Sequence, residues 1–214
     1  MNSEISKTEW CAVGDTGNPP LPDGRGRVDY PFEIAKTPVT NSQYCAFLNA
    51  LPAGERAGLF SVAMTDHFFG GILRQDTGDA PFAPKKGFER KPVVFVSWFD
   101  AWRFAAWLNE QDATWEYRLP TADEWLKAAA FRGSRGWAQY ATGGDAPPSQ
   151  DPARENSANY YDVRNGWSLP APHLADVNRY PHAGPYGTLG QAGNCSEWVD
   201  AEAPNSWKLA LGGS

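Results

Sequence analysis

Three stretches of the chain place apolar residues at helical spacing directly behind a capping signal. Thr40-Asn41-Ser42-Gln43 leads into Tyr44, Phe47, Leu48 and Leu51, which share one face of a helix that Pro52 helps to end. Ser97-Trp98-Phe99-Asp100 opens a second helix. Its predicted apolar face is Trp98, Ala101, Trp102, Ala105 and Leu108, with Arg103, Asn109 and Glu110 turned outward. Thr121-Ala122-Asp123-Glu124 opens a third, running through Trp125 and Ala128 to Gly133. In each, a hydroxyl accepts an orphan amide and the acid or amide three residues on reaches back. Strand patterns are shorter. Tyr30 to Lys36 alternates as a half-buried strand does, Pro92 to Val96 is an apolar run predicting a buried strand, and Thr114 to Arg118 predicts another. Trp207 to Leu211 begins like a strand that Gly212-Gly213-Ser214 then interrupts.

The segments between them are long and irregular. Residues 11–29 are rich in Gly, Pro and Asp, and so are predicted to be mostly turns. Ala53 to Lys91 holds one apolar knot, Phe68-Phe69-Gly70-Gly71-Ile72, and residues 134–175 are rich in Trp, Tyr and Asn. Connections of that length point to binding loops or packed excursions. Composition agrees: 21 glycines, 18 prolines and a mean hydropathy of -0.52 describe a fold held by packed loops. Ten Trp and eleven Phe supply the packing material. A length of 214 residues, 42% of them apolar, predicts one folded domain over residues 1–214.

Charge and cysteine usage narrow the chemistry. A net charge of -6 without basic runs argues against nucleic acid as a partner. The densest basic spots, Lys85-Lys86 and Arg90-Lys91, read as solvated loop ends. No stretch is apolar enough to span a bilayer, so no membrane partner is expected. Met1 to Glu9 is polar and carries no signal-peptide core, which leaves a cytoplasmic location or none assigned. Cys11, Cys45 and Cys195 form no CxxC, which disfavours a disulfide framework and excludes a cysteine-rich zinc site. Cys45, beside the first helical stripe, reads as a buried structural thiol. His67, His173 and His182 show no metal-binding spacing.

Read together, several segments resemble the formylglycine-generating enzyme / sulfatase-modifying factor family. They are Lys36 to Asn41, Pro92 to Ala101, Arg118 to Trp125, Ser157 to Tyr161, Pro185-Tyr186-Gly187-Thr188, Gly193 to Trp198, and Leu211 to Ser214, in the family's order. The resemblance implies an α+β fold: loop-rich, of the formylglycine-generating-enzyme type, and related to the C-type lectin fold. It also implies structural calcium at two places. One would use the Asn159 side chain and the Tyr160 carbonyl; the other, the Gly193 and Cys195 carbonyls and the Glu197 carboxylate. Oxygen donors of this kind suit Ca²⁺. Departures from the family pattern are Gly190, where an Asp or Asn ligand is common, and Leu189 and Ser196 at aromatic positions.

Catalytic members of the family bind copper through a cysteine pair that lies beyond the Gly-Gly-Ser turn at which this chain ends. None of Cys11, Cys45 and Cys195 matches that pair, so no catalytic residue is assigned, and copper is expected only if a further C-terminal segment supplies the thiols. Cys195 has no basic neighbour in sequence to activate it as a nucleophile. Three functions follow from the resemblance. The first is a scaffold binding a protein or small-molecule ligand at its loop surface, as retroelement-diversified variable proteins do. The second is a metal-dependent oxidase acting on a cysteine or thiol substrate. The third is a structural accessory domain.

Overall fold

The computed structural model describes residues 8–75, 78–203 and 207–213. In chain order the elements are β1 (Trp10–Val13), β2 (Phe32–Ala35), α1 (Asn41–Ala50), α2 (Ala53–Arg56), α3 (Ala63–Asp66), β3 (Ile72–Arg74), β4 (Phe82–Pro84), α4 (Trp98–Gln111), α5 (Ala122–Ala130), β5 (Tyr161–Asp162), β6 (Gly166–Trp167), β7 (Ser196–Glu202) and β8 (Lys208–Gly212). Among the described residues the strands form four antiparallel pairs, each joining consecutive strands. The chain divides into two compact units, one built on Val39–Leu119 and one on Glu9–Pro38 with Pro120–Ser214. Ser214, last residue of the final matching segment, lies outside the described residues.

The first unit is organised on α1. Tyr44, Phe47, Leu48 and Leu51 are buried, as the helical spacing predicts, and Cys45 is buried beside them. The Phe47 ring meets Phe104 edge-on at 5.3 Å and Trp107 at the same distance, so α1 and α4 share an aromatic core. Asn49 binds both backbone groups of Phe82, at 3.0 and 2.8 Å, and thereby fixes β4 against the helix. The Lys85 ammonium donates to the Thr65 and Gly70 carbonyls, at 2.6 and 2.7 Å. These bonds turn the stretch from Ala53 to Lys91 into short helical turns and the β3–β4 hairpin, an order that its sequence does not announce.

All three predicted capping boxes are present, at Thr40/Gln43, Ser97/Asp100 and Thr121/Glu124. Ser97→Ala removes the side-chain acceptor for the Asp100 amide and is expected to lower stability by about 1 kcal/mol in a denaturant titration. A change indistinguishable from zero would show that the box is cosmetic.

The third predicted helix ends at Ala130, short of Gly133, and β1 takes Cys11 to Val13 out of the predicted turns. Three larger expectations also need correction. Residues 92–96 make a single bridge, Thr40 to Pro92, and no strand, because Phe95 turns into the left-handed region at φ 63°. Residues 114–118 are not a strand either. There the Asn109 side chain bonds the Tyr117 amide and carbonyl, at 2.7 and 2.8 Å, and occupies the groups a partner strand would use. The buried face of α4 is Phe104, Ala105 and Trp107, while Trp102 is exposed, so the stripe is rotated from the predicted one.

In the second unit, β7, β8 and α5 enclose Trp125, Ala129 and Val199, with Leu209 and Leu211 against them. The Gly/Pro-rich lead-in is held by α5. Lys127 is fully buried and donates to the carbonyls of Asp15 and Val28, at 3.1 and 3.3 Å; burial lowers its pKa. Tyr30 donates its hydroxyl to Glu124 at 3.0 Å, and Asn18 bonds the Val28 amide and the Gly26 carbonyl. Buried polar groups satisfied in this way take the place of a continuous sheet.

Candidate functional site

The five residues singled out in the sequence all lie in the second unit. Asn159 and the segment 193–197 come together there. The Asn159 carbonyl accepts the Asn194 amide at 2.7 Å, and its side-chain NH₂ donates to the Asn194 side chain at 2.9 Å and to the His173 carbonyl at 2.8 Å. Asn194 in turn bonds both backbone groups of Ala175, so one pair of asparagines ties three loops. Asn194 accommodates this at φ 68°, a region that Asn tolerates better than most residues. Gly193 lies so close to the Asn159 carbonyl that only glycine fits.

Two buried oxygens here have no hydrogen-bond donor. One is Asn159 Oδ1 and the other is Glu197 Oε1; a third, Ser157 Oγ, lies nearby in sequence. Ser157 and Asn159 line a cavity of about 20 Å³, with Thr142, Asp176, His182 and Asn194 also on its wall. That is room for about one water.

Glu197 sits on β7, paired with Leu211 on β8, and its Oε2 accepts the indole N–H of Trp125 at 2.8 Å. Loss of solvent pushes its carboxyl up to about 7, against which the Trp125 bond acts only in part. A carboxylate oxygen buried without a donor is the atom a hard cation satisfies best. The Glu197 end of the second implied calcium set therefore suits the ion. The rest of that set is thinner. The Gly193 carbonyl accepts the Cys195 amide at 2.8 Å, and Gly190, in the common ligand position, holds φ 90° with Pro38 close to where a side chain would start.

The Tyr160 carbonyl, named for the first implied ion, offers less. It accepts the Ser168 amide at 3.1 Å, the Ser168 hydroxyl at 2.8 Å and the Gln150 side-chain amide at 3.1 Å. A carbonyl oxygen has two lone pairs, and protein donors engage both. Neither Gln150 nor Ser168 stands out in the sequence: both sit in irregular segments, and their partners are 8 to 16 residues away.

The surroundings of Cys195 disfavour a thiolate. Burial, reinforced by the neighbouring Glu197 carboxyl, raises its thiol far above the ordinary value. Burial also raises the Cys11 thiol and pushes Cys45 up to about 12. All three cysteines are free.

Comparison with known proteins identifies the family. The profile of the sulfatase-modifying factor enzyme 1-like domain matches residues 8–213, across both units. The chain belongs to that family. It is 29% identical over 212 residues to the formylglycine-generating enzyme of Streptomyces coelicolor, covering 81% of this chain and 61% of that protein. It is also 31% identical over 126 residues to the inactive C-alpha-formylglycine-generating enzyme 2 of Bos taurus, covering 57% of this chain and 38% of that one. The crystal structure of CarF superposes with a TM-score of 0.55 at 25% identity, over 97% of this chain and 87% of that one. The fold is thus that of the formylglycine-generating enzymes: mixed helix with small sheets. This member of the sulfatase-modifying factor family spans about three fifths of the length of the Streptomyces coelicolor protein that it matches.

Proposed function

We propose that this chain is a sulfatase-modifying-factor-type scaffold that binds a protein or small-molecule ligand at its loop surface and performs no thiol oxidation with its own cysteines. The observation that carries this reading is the state of the three thiols. Copper chemistry of the family's kind needs a pair of thiolates, and here Cys11 lies on β1, Cys45 on α1 and Cys195 in the turn before β7, with burial raising the pKa of each thiol. The exposed side chains suit recognition. On the β5–β6 hairpin Tyr161, Val163 and Trp167 face solvent, and the Trp167 ring stacks on His173 at 4.6 Å. Rigid aromatic groups on a fixed turn give contact area at low entropic cost. Retroelement-diversified variable proteins use a scaffold of this type in that manner. The same reading places one structural calcium ion at Glu197, held with the Gly193 and Cys195 carbonyls.

The likeness to the Streptomyces coelicolor enzyme favours a second reading, a formylglycine-generating-type oxidase acting on a cysteine or thiol. It requires thiols that Cys11, Cys45 and Cys195 do not supply, and copper enters only with them.

Thiol titration of the native protein separates the two. The scaffold reading expects the thiols to react at least about tenfold more slowly than in urea. It also expects Cu(I) to be surrendered to a competing chelator, and a cysteine peptide under oxygen and reductant to be recovered unchanged. Retention of stoichiometric Cu(I), together with conversion of the peptide to an aldehyde, would overturn it. On the binding side, a peptide and glycan array should return ligands whose capture is lost in Trp167→Ala.

A further inference from the structure

We propose that in this chain the amide of Gln150 and the hydroxyl of Ser168 stand where the family resemblance implies the first calcium ion, so that the turn from Tyr160 to Ser168 is held without a cation. Gln150 carries the argument. Its side-chain NH₂ spends both protons on carbonyls of this turn, Tyr160 at 3.1 Å and Gly166 at 2.8 Å. Drawing two carbonyl oxygens toward one point is what a coordinated divalent ion does, and here a neutral donor does it. The Ser168 hydroxyl adds a third strand to the knot by donating to the Tyr160 carbonyl at 2.8 Å and accepting the Tyr160 amide at 2.9 Å.

Around the Tyr160 carbonyl, protein donors occupy the positions that a cation would take. The one acidic side chain of the hairpin, Asp162, has its Oδ1 committed to the amides of Arg164 and Asn165, at 2.9 and 2.8 Å. Asn159 Oδ1 and Ser157 Oγ share a cavity of about 20 Å³ with Asp176, a volume that one water fills. Ca²⁺ takes six to eight oxygens and gains most from carboxylates. N–H groups aimed at the Tyr160 carbonyl repel a cation. The resemblance and the side chains therefore part company at this first place, whereas Glu197 remains suited to the second.

The test is backbone hydrogen exchange over residues 160–168 of the full chain, with calcium in excess or with chelator. The wild-type protection factors should agree within about twofold in the two conditions. Gln150→Ala should lose about tenfold in protection there, with no rescue by calcium. Gln150→Glu is the sharper variant. It sets an anionic acceptor against two carbonyls, so protection should be low in chelator and recover when calcium is added. Two results would overturn the proposal: a tenfold or greater loss of wild-type protection at 160–168 on chelation, or a Gln150→Glu protein as protected as wild type in chelator. All arms are repeated in a Glu197→Gln background, which removes the response of the second place, so its failure is read separately at residues 193–198.

Discussion

Gly193→Ala is expected to destabilise the protein by about 3 kcal/mol or more, because overpacking against backbone has no side chain to push aside. A methyl group at Gly193 would start 2.1 Å from the Asn159 carbonyl oxygen. Relief requires the 193–194 backbone to withdraw, which breaks the 2.7 Å bond from the Asn194 amide to that same oxygen. The Asn194 side chain would leave Ala175 and Asn159 with it. The Cys195 and Glu197 positions are displaced by the same movement, so calcium response at Glu197 should be lost along with stability. Gly54→Ala is the control: it lies in α2, and its added methyl meets nothing within 4 Å, so stability should stay level or rise by about 0.5 kcal/mol. Urea midpoints for the two variants decide the matter. A Gly193→Ala midpoint within error of wild type would mean that the 159–194 contact is not structural.

How much of this was legible in the sequence depends on how far apart the interacting residues lie. The three capping boxes are legible because donor and acceptor are three residues apart, and helix geometry sets the rest. The buried stripe of α1 follows from spacing alone. The stripe of α4 does not, because nearly every turn of that helix carries an aromatic residue and only the partner rings, Phe47 among them, select Phe104 and Trp107. Short strands are the least legible. The Pro92 to Val96 run is apolar and β-branched, yet Phe95 at φ 63° ends any ladder, and that angle has no signature in the residue type. At the site, Asn159, Gly193 and Glu197 could be named because they fall in family segments. Their neighbours could not: Trp125 reaches Glu197 across 72 residues, and Gln150 grips a turn that sequence shows only as irregular.

The second large effect concerns Glu197 and pH. In the folded chain without metal its carboxyl titrates near 7, against 4.5 for the free group, because burial disfavours the charge. Below about pH 4.5 the carboxyl is protonated in both states and carries no penalty. Between there and about 7 the unfolded chain gives up the proton while the folded chain keeps it, so stability falls as pH rises. At one pH unit per 1.36 kcal/mol, the full penalty above pH 7 is on the order of 3 kcal/mol. The neighbouring Cys195 thiol stays protonated throughout and adds nothing to this slope. The carboxylates held down by cations or amides, Asp23, Asp112, Asp145 and Glu202, act with the opposite sign and in a lower window: their stabilisation is lost only as pH falls below the ordinary carboxylate range. Glu197→Gln keeps an acceptor for the Trp125 indole and removes the charge. In chelator at pH 7.5 this variant should therefore be more stable than wild type, while at pH 4.5 the two should coincide. Calcium should restore wild type at the higher pH and leave the variant unmoved, because an ion beside Glu197 returns to the carboxylate the favourable charge that burial took from it. Denaturant titrations at both pH values, with and without calcium, check all four outcomes. A wild-type profile that is flat in chelator would mean that the carboxyl is solvated, and would remove the reason to place a cation there.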